Sequence, residues 1–147
     1  MLVNLSLDGV TPAPDDIYIL PGEIIDMYVI SDSDGVCYEK DVYTYEPFTI
    51  SNVHTYPAAG DLADARYLQV AECYRLEAYD SADNVLAGKH FGFDLTVDPC
   101  TQSGIWESIW LERGAVPDDT VRVHVIPEPA TVFLFALGSA ILIRKKR

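Results

Sequence analysis

HFGFDLTVD, residues 90–98, is the stretch that decides the fold. Phe91, Phe93, Leu95 and Val97 alternate with His90, Gly92, Asp94 and Thr96. An extended chain sends successive side chains to opposite faces, so the first set shares one side and the second set the other. VRVHV, residues 121–125, repeats the pattern, with Val121, Val123 and Val125 set against Arg122 and His124. IIDMYVI, residues 24–30, follows it more loosely, with Ile25, Met27 and Val29 on one face. Each reads as a half-buried strand, which places His90 and His124 on outward faces. Residues 2–7 and 42–50 are further candidate strands, and Pro47 marks the second as an edge or a bulge.

Turn chemistry separates these runs. LPGE, SDSDG, YPAAGD, DSADN, VDPCTQSG and VPDD each sit between apolar segments. In LPGE, Pro21 supplies φ near −65° and Gly22 tolerates positive φ, the pattern of a type II turn. Short strands punctuated in this way predict an all-β antiparallel sandwich. The ambiguous stretch is DLADARYLQVAECYRLEAY, residues 61–79. Its Ala, Leu, Arg and Glu favour a helix, yet Leu68, Val70, Tyr74 and Leu76 also fit a period of two. The expectation is a strand over residues 67–78, with a helical turn near residues 62–66.

The 147 residues suffice for one domain and a tail. The net charge of −13 opposes nucleic-acid binding, because such a surface repels phosphate backbones. Four of the ten basic residues are the last four of the chain, so the body is more acidic still. A hydrophobic content of 49% with nine tyrosines argues against disorder. Cys37, Cys73 and Cys100 follow no CxxC spacing.

The chain closes on VIPEPATVFLFALGSAILIRKKR, residues 125–147. Pro127 and Pro129 flank Glu128 and should stop strand pairing, so a body of residues 1–126 is expected to give way to a tail of residues 127–147. Residues 130–143 carry no charge and are apolar on every side, unlike an amphipathic core helix. As a helix they span about 21 Å, short of the ~30 Å hydrocarbon core. Arg144, Lys145, Lys146 and Arg147 extend the usable length by snorkelling, and they would stay on the cytoplasmic side.

The order of PEP triplet, short apolar helix and terminal basic cluster closely resembles the PEP-CTERM protein-sorting signal of Gram-negative bacteria. The resemblance implies export, recognition of the tail by an exosortase in the membrane, and delivery to the cell envelope or extracellular matrix. It assigns Pro127, Glu128 and Pro129 to the sorting motif, residues 130–143 to a single transmembrane helix and residues 144–147 to the basic stop. The run GKHFGFDLTVDPC, through WLERG to VRVHVIPEP, is also similar to exported bacterial β-sandwiches, Ig-like or loosely cohesin-like, with no assigned chemistry. MLVNLSLDGV has neither a basic start nor a sustained apolar run, so the expectation is that an export signal lies upstream of Met1.

No G-x-S-x-G, Walker A, H-E-x-x-H or G-x-G-x-x-G motif occurs, and a non-catalytic role is expected. An EF-hand register through Asp32-Ser33-Asp34-Gly35 puts Ile30 first and Asp41 last, where the loop wants a carboxylate and a bidentate Glu, so the stretch reads as a turn. A looser calcium site would join Asp32 and Asp34 to other loop acids such as Asp80, Asp83, Asp118 or Asp119. Trp106 and Trp110 are four apart and share a strand face, so they could stack on the sugar rings of a polysaccharide. The plainer reading has them completing a core or covering an edge. The Tyr43/Tyr45 pair is a weaker candidate of the same kind. The leading expectation is a structural or interaction role, and the alternative is a carbohydrate-binding module.

Overall fold

The computed structural model describes residues 2–36, 38–56, 63–70, 73–80, 85–113 and 116–128. Ten strands form two sheets: β1 (Val3–Ser6), β2 (Asp16–Ile19), β3 (Ile24–Ser31), β4 (Tyr38–Tyr43), β5 (Phe48–Thr55), β6 (Ala63–Val70), β7 (Cys73–Asp80), β8 (Gly88–Val97), β9 (Trp106–Arg113) and β10 (Val116–Val125). One sheet has the order β1-β3-β8-β5 and the other β2-β10-β9-β4-β7-β6. The predicted all-β sandwich is present, and no helix occurs among the described residues. One departure from a purely antiparallel sandwich is the parallel pairing of β2 with β10, Ile17 opposite Val123.

The alternating patterns set the core. Phe91, Phe93, Leu95 and Val97 of β8 are buried, and they face Ile109, Leu111, Val121, Val123 and Val125 from the other sheet within one apolar cluster. Each large side chain removed from water in this way contributes roughly 1.5–3 kcal/mol. Asp119 Oδ2 accepts a hydrogen bond from the Leu5 amide at 2.6 Å and so ties β10 to β1 of the opposite sheet.

Three expectations need correction. Residues 63–66 belong to β6, not to a helical turn, and residues 67–78 are not one strand but the inner arms of the β6–β7 hairpin. Helix-favouring composition yields here to tertiary pairing, since β4 offers β7 a free edge. Residues 42–50 likewise divide into the end of β4, a turn and the start of β5, with Pro47 in the turn after a cis peptide bond. His90 is the third case. The β3–β8 ladder pairs Val29 with Phe91 and Ile30 with Lys89, leaving His90 as the extra residue of a bulge. A bulge resets the alternation, so His90 turns inward and is only 1% exposed.

The expected LPGE turn forms: the Glu23 amide donates to the Leu20 carbonyl at 3.0 Å, and Gly22 has φ of 77°. This turn lies at the end of the sandwich where the chain leaves β10. There the Ile126 amide donates to the Ile19 carbonyl, the Gly104 amide to the Val125 carbonyl, and the Asp98 amide to the Pro47 carbonyl. The connections 20–23, 44–47 and 98–105 therefore gather round the exit at Ile126.

Candidate functional site

Outward parity on the six-stranded sheet builds an aromatic face. On β9, Ile109 and Leu111 point inward with no exposure, so Trp106, Ser108, Trp110 and Glu112 point outward. The two tryptophans share a face, as their spacing predicts, but they belong to different clusters. Register places Trp110 opposite Tyr43 on β4, and their rings stack with centroids 5.2 Å apart and planes at 19°. Tyr45 meets both edge-on, at 5.4 Å from Trp110 and 5.9 Å from Tyr43. Burial and the neighbouring Glu112 carboxylate push the Tyr43 phenol up to about 12.

Trp106 belongs to a row that crosses three strands. It lies opposite His124, and His124 lies opposite Tyr18. The Tyr18 and His124 rings stack at 5.1 Å, and Trp106 lies 6.3 Å from His124. Tyr18 is 61% exposed and Trp106 56%, large values for rings of this size. One row further in, Asp16 Oδ1 accepts from His124 Nε2 at 2.7 Å and Oδ2 from Arg122 Nη2 at 2.8 Å. The His124 hydrogen bond, then the Arg122 charge, hold the Asp16 carboxyl below its ordinary range. The sequence placed His124 outward, and it is outward and half-buried. Its two aromatic neighbours were not foreseeable from it, because Tyr18 meets His124 only through the parallel pairing.

Beyond the aromatic clusters the same face turns acidic. Arg75 Nε and Nη2 donate to Asp41 at 3.0 and 3.2 Å, and Glu39 lies 3.3 Å from Nε. Asp41 raises the Arg75 guanidinium above its ordinary value, with Glu39 adding to the effect.

The remaining sequence candidates are not gathered into a site. Asp32 Oδ1 accepts from the Leu2 amide at 2.7 Å, which holds its carboxyl down, and Asp34 Oδ1 accepts from the Ala87 amide at 2.7 Å. Both carboxylates thus brace backbone, as turn acids do. Asp119 is taken up by Leu5, and the side chains of Asp80, Asp83 and Asp118 lie outside the described residues. Among the described residues no group of three or more His, Cys, Asp or Glu could hold a metal ion. His90 lies in the core: its Nε2 donates to the Leu86 carbonyl and its Nδ1 accepts from the Tyr38 hydroxyl, both at 2.7 Å. Burial pushes this imidazole below its ordinary value. Pro127 and Glu128 are exposed after the last strand, whereas Pro129, the apolar run 130–143 and the basic residues 144–147 lie outside the described residues. No helix among the described residues is long and apolar enough to cross a membrane.

An open groove of about 640 Å³ lies at the exit end, lined among others by Pro47, Thr96, Pro99, Cys100, Thr101 and Ile105. The Thr101 hydroxyl is buried without a partner there, and Cys100 is a free, exposed thiol.

The two-sheet sandwich is similar in fold to cohesin modules. The fold matches a type III cohesin of the ScaE anchoring scaffoldin from Ruminococcus flavefaciens at a TM-score of 0.62, with 10% identity over 86% of this chain and 87% of that one. A cohesin of scaffoldin B from Acetivibrio cellulolyticus, solved in complex with the Cel5 dockerin, matches at 0.56, with 9% identity over 85% and 99%. A non-cellulosomal cohesin from Archaeoglobus fulgidus matches at 0.53, with 10% identity over 90% and 97%. At such identities the likeness is one of fold. Residues 125–147 match the PEP-CTERM protein-sorting motif, which implies an exported substrate of an exosortase passing through a membrane-anchored intermediate. No curated protein matches the chain.

Proposed function

We propose that this protein is an exported, non-catalytic interaction module, carried on a cohesin-like sandwich and sorted through its tail by an exosortase at the cell envelope. The observation that carries the reading is the direct succession of a β-sandwich and a sorting motif: β10 ends at Val125, and the motif begins at that residue. Residues 130–143 are then the single-pass helix, and residues 144–147 its cytoplasmic stop. The binding surface is the outer face of the six-stranded sheet, where exposed rings supply rigid contact area beside a charged half. The solved cohesin–dockerin complex supports a protein partner by likeness of fold. The exposed rings of Tyr18 and Trp106 support the alternative, a carbohydrate-binding module that holds matrix polysaccharide.

Fractionation tests the sorting arm. Behind an export signal in an exosortase-bearing bacterium, the full chain should appear in the membrane fraction, and a chain ending at Ile126 should be soluble in the medium. Unchanged membrane fractionation of the truncated chain would sink the reading. Tryptophan fluorescence titrated with matrix oligosaccharides separates the two binding modes. A saturable shift, lost in W106A, establishes the carbohydrate alternative, and its absence favours a protein partner.

A further inference from the structure

We infer that the exit end of the sandwich is a membrane-seating rim, whose ligand is the headgroup layer of a zwitterionic bilayer. Eleven large apolar side chains are exposed among the described residues, and five of them, Tyr18, Ile24, Ile105, Trp106 and Ile126, lie at this end. They come from separate elements. Ile24 opens β3 opposite Thr96, Trp106 opens β9, and Ile126 follows β10. Single exposed apolar residues need no explanation, but a concentration at one end of a domain does.

The length of the tail says what covers them. This step rests on the proposed insertion of residues 130–143. From Ile126, the last of the described residues with a paired backbone amide, to Ala130 is four residues, at most about 14 Å of extended chain. The headgroup region occupies roughly 5–8 Å on each side of the hydrocarbon core. A domain tethered this closely brings its exit end into or against that layer, and no other end of the sandwich can reach it. Tryptophan and tyrosine, with an apolar body and a polar tip, are the side chains that settle at this depth. The same end carries Glu23, Glu46, Asp98, Glu107 and Glu128 and no basic residue among those connections, so the rim is unsuited to anionic lipid.

The two tryptophans read the geometry. They lie four residues apart on one strand, about 13 Å along β9, with Trp106 at the rim and Trp110 above it. The full chain is reconstituted into phosphatidylcholine vesicles containing brominated acyl chains, as W110F (Trp106 alone) and as W106F (Trp110 alone). Flotation reports tail insertion, and quenching reports the rim. The rim reading expects Trp106 to be quenched several-fold more than Trp110 and to shift to the blue. It also expects Trp106 quenching to fall when I105S and I126S are added, with flotation unchanged. A chain that floats while both tryptophans stay unquenched overturns the rim and leaves the tail reading standing. Equal quenching of both overturns it too, because the domain would then lie flat on its aromatic face. A chain that fails to float overturns the tail reading, and the rim with it.

Discussion

Replacing Tyr38 by phenylalanine removes one hydroxyl from the core and strands a ring nitrogen. His90 is 1% exposed, and its Nε2 proton is committed to the Leu86 carbonyl. Its Nδ1 then has a single donor, the Tyr38 hydroxyl at 2.7 Å. Leaving a buried acceptor without a partner costs about 1–3 kcal/mol, more than the bond itself contributes. For a chain of this size that is a fall in Tm of roughly 3–5 °C for each kcal/mol. Urea unfolding of the full chain, followed by tryptophan fluorescence, measures it. The double variant Y38F/H90L removes both groups and should recover much of the loss, since the Leu86 carbonyl keeps the Ser31 hydroxyl as a donor. Protonation supplies a second check. The folded imidazole is held below its ordinary value while the unfolded one titrates near 6.5, so below that pH the unfolded chain binds the extra proton. Stability is then fully present above about pH 6.5 and declines as pH falls towards the folded value, by at most about 1.4 kcal/mol per pH unit. The carboxyls held down, Asp8, Asp16 and Asp32, act only below about pH 4 and leave this window clear. H90L should flatten the slope between pH 6.5 and 5. A Y38F chain as stable as the parent, or an H90L chain with the parental slope, would refute the argument.

Two other substitutions test packing outside the core. A methyl group at Gly92 would meet His54 Nε2 at 2.6 Å and Tyr56 Cε2 at 2.9 Å, so G92A should cost about 1–3 kcal/mol and H54A should relieve part of it, measured by the same urea titration. D119A frees the Leu5 amide from its acceptor across the two sheets, and hydrogen exchange at Leu5 should accelerate with a stability loss of about 1–3 kcal/mol.

The strands that bury one face were legible in the sequence because burial imposes the period of two directly. β3, β8 and β10 show it, and their apolar sets form the cluster between the sheets. Where long-range pairing decides, the local signal misleads. Ala63 to Val70 resembles a helix in composition and becomes a strand because β7 is there to pair with it. His90 follows the alternation in sequence and breaks it in space, since no local feature announces the bulge opposite Val29 and Ile30. The same limit applies to the aromatic face. Parity puts Trp106 and Trp110 on one side, but only the register of β4 and β10 against β9, and of β2 against β10, gives each its partners. The tail differs, because its motif is contiguous and needs no tertiary contact to be recognised.

The parallel pairing of β2 with β10 also has a mechanical side. β10 is hydrogen-bonded along its length to β9 on one flank and to β2, through Asp16 to Ile19, on the other. A pull on the C-terminal tail runs along the axis of β10, so it strains both ladders in shear, many bonds at once, and does not peel them one by one. The strand that continues into the tail is thus seated between two neighbours, and tension from the tethered end spreads into the sheet before any single bond must yield.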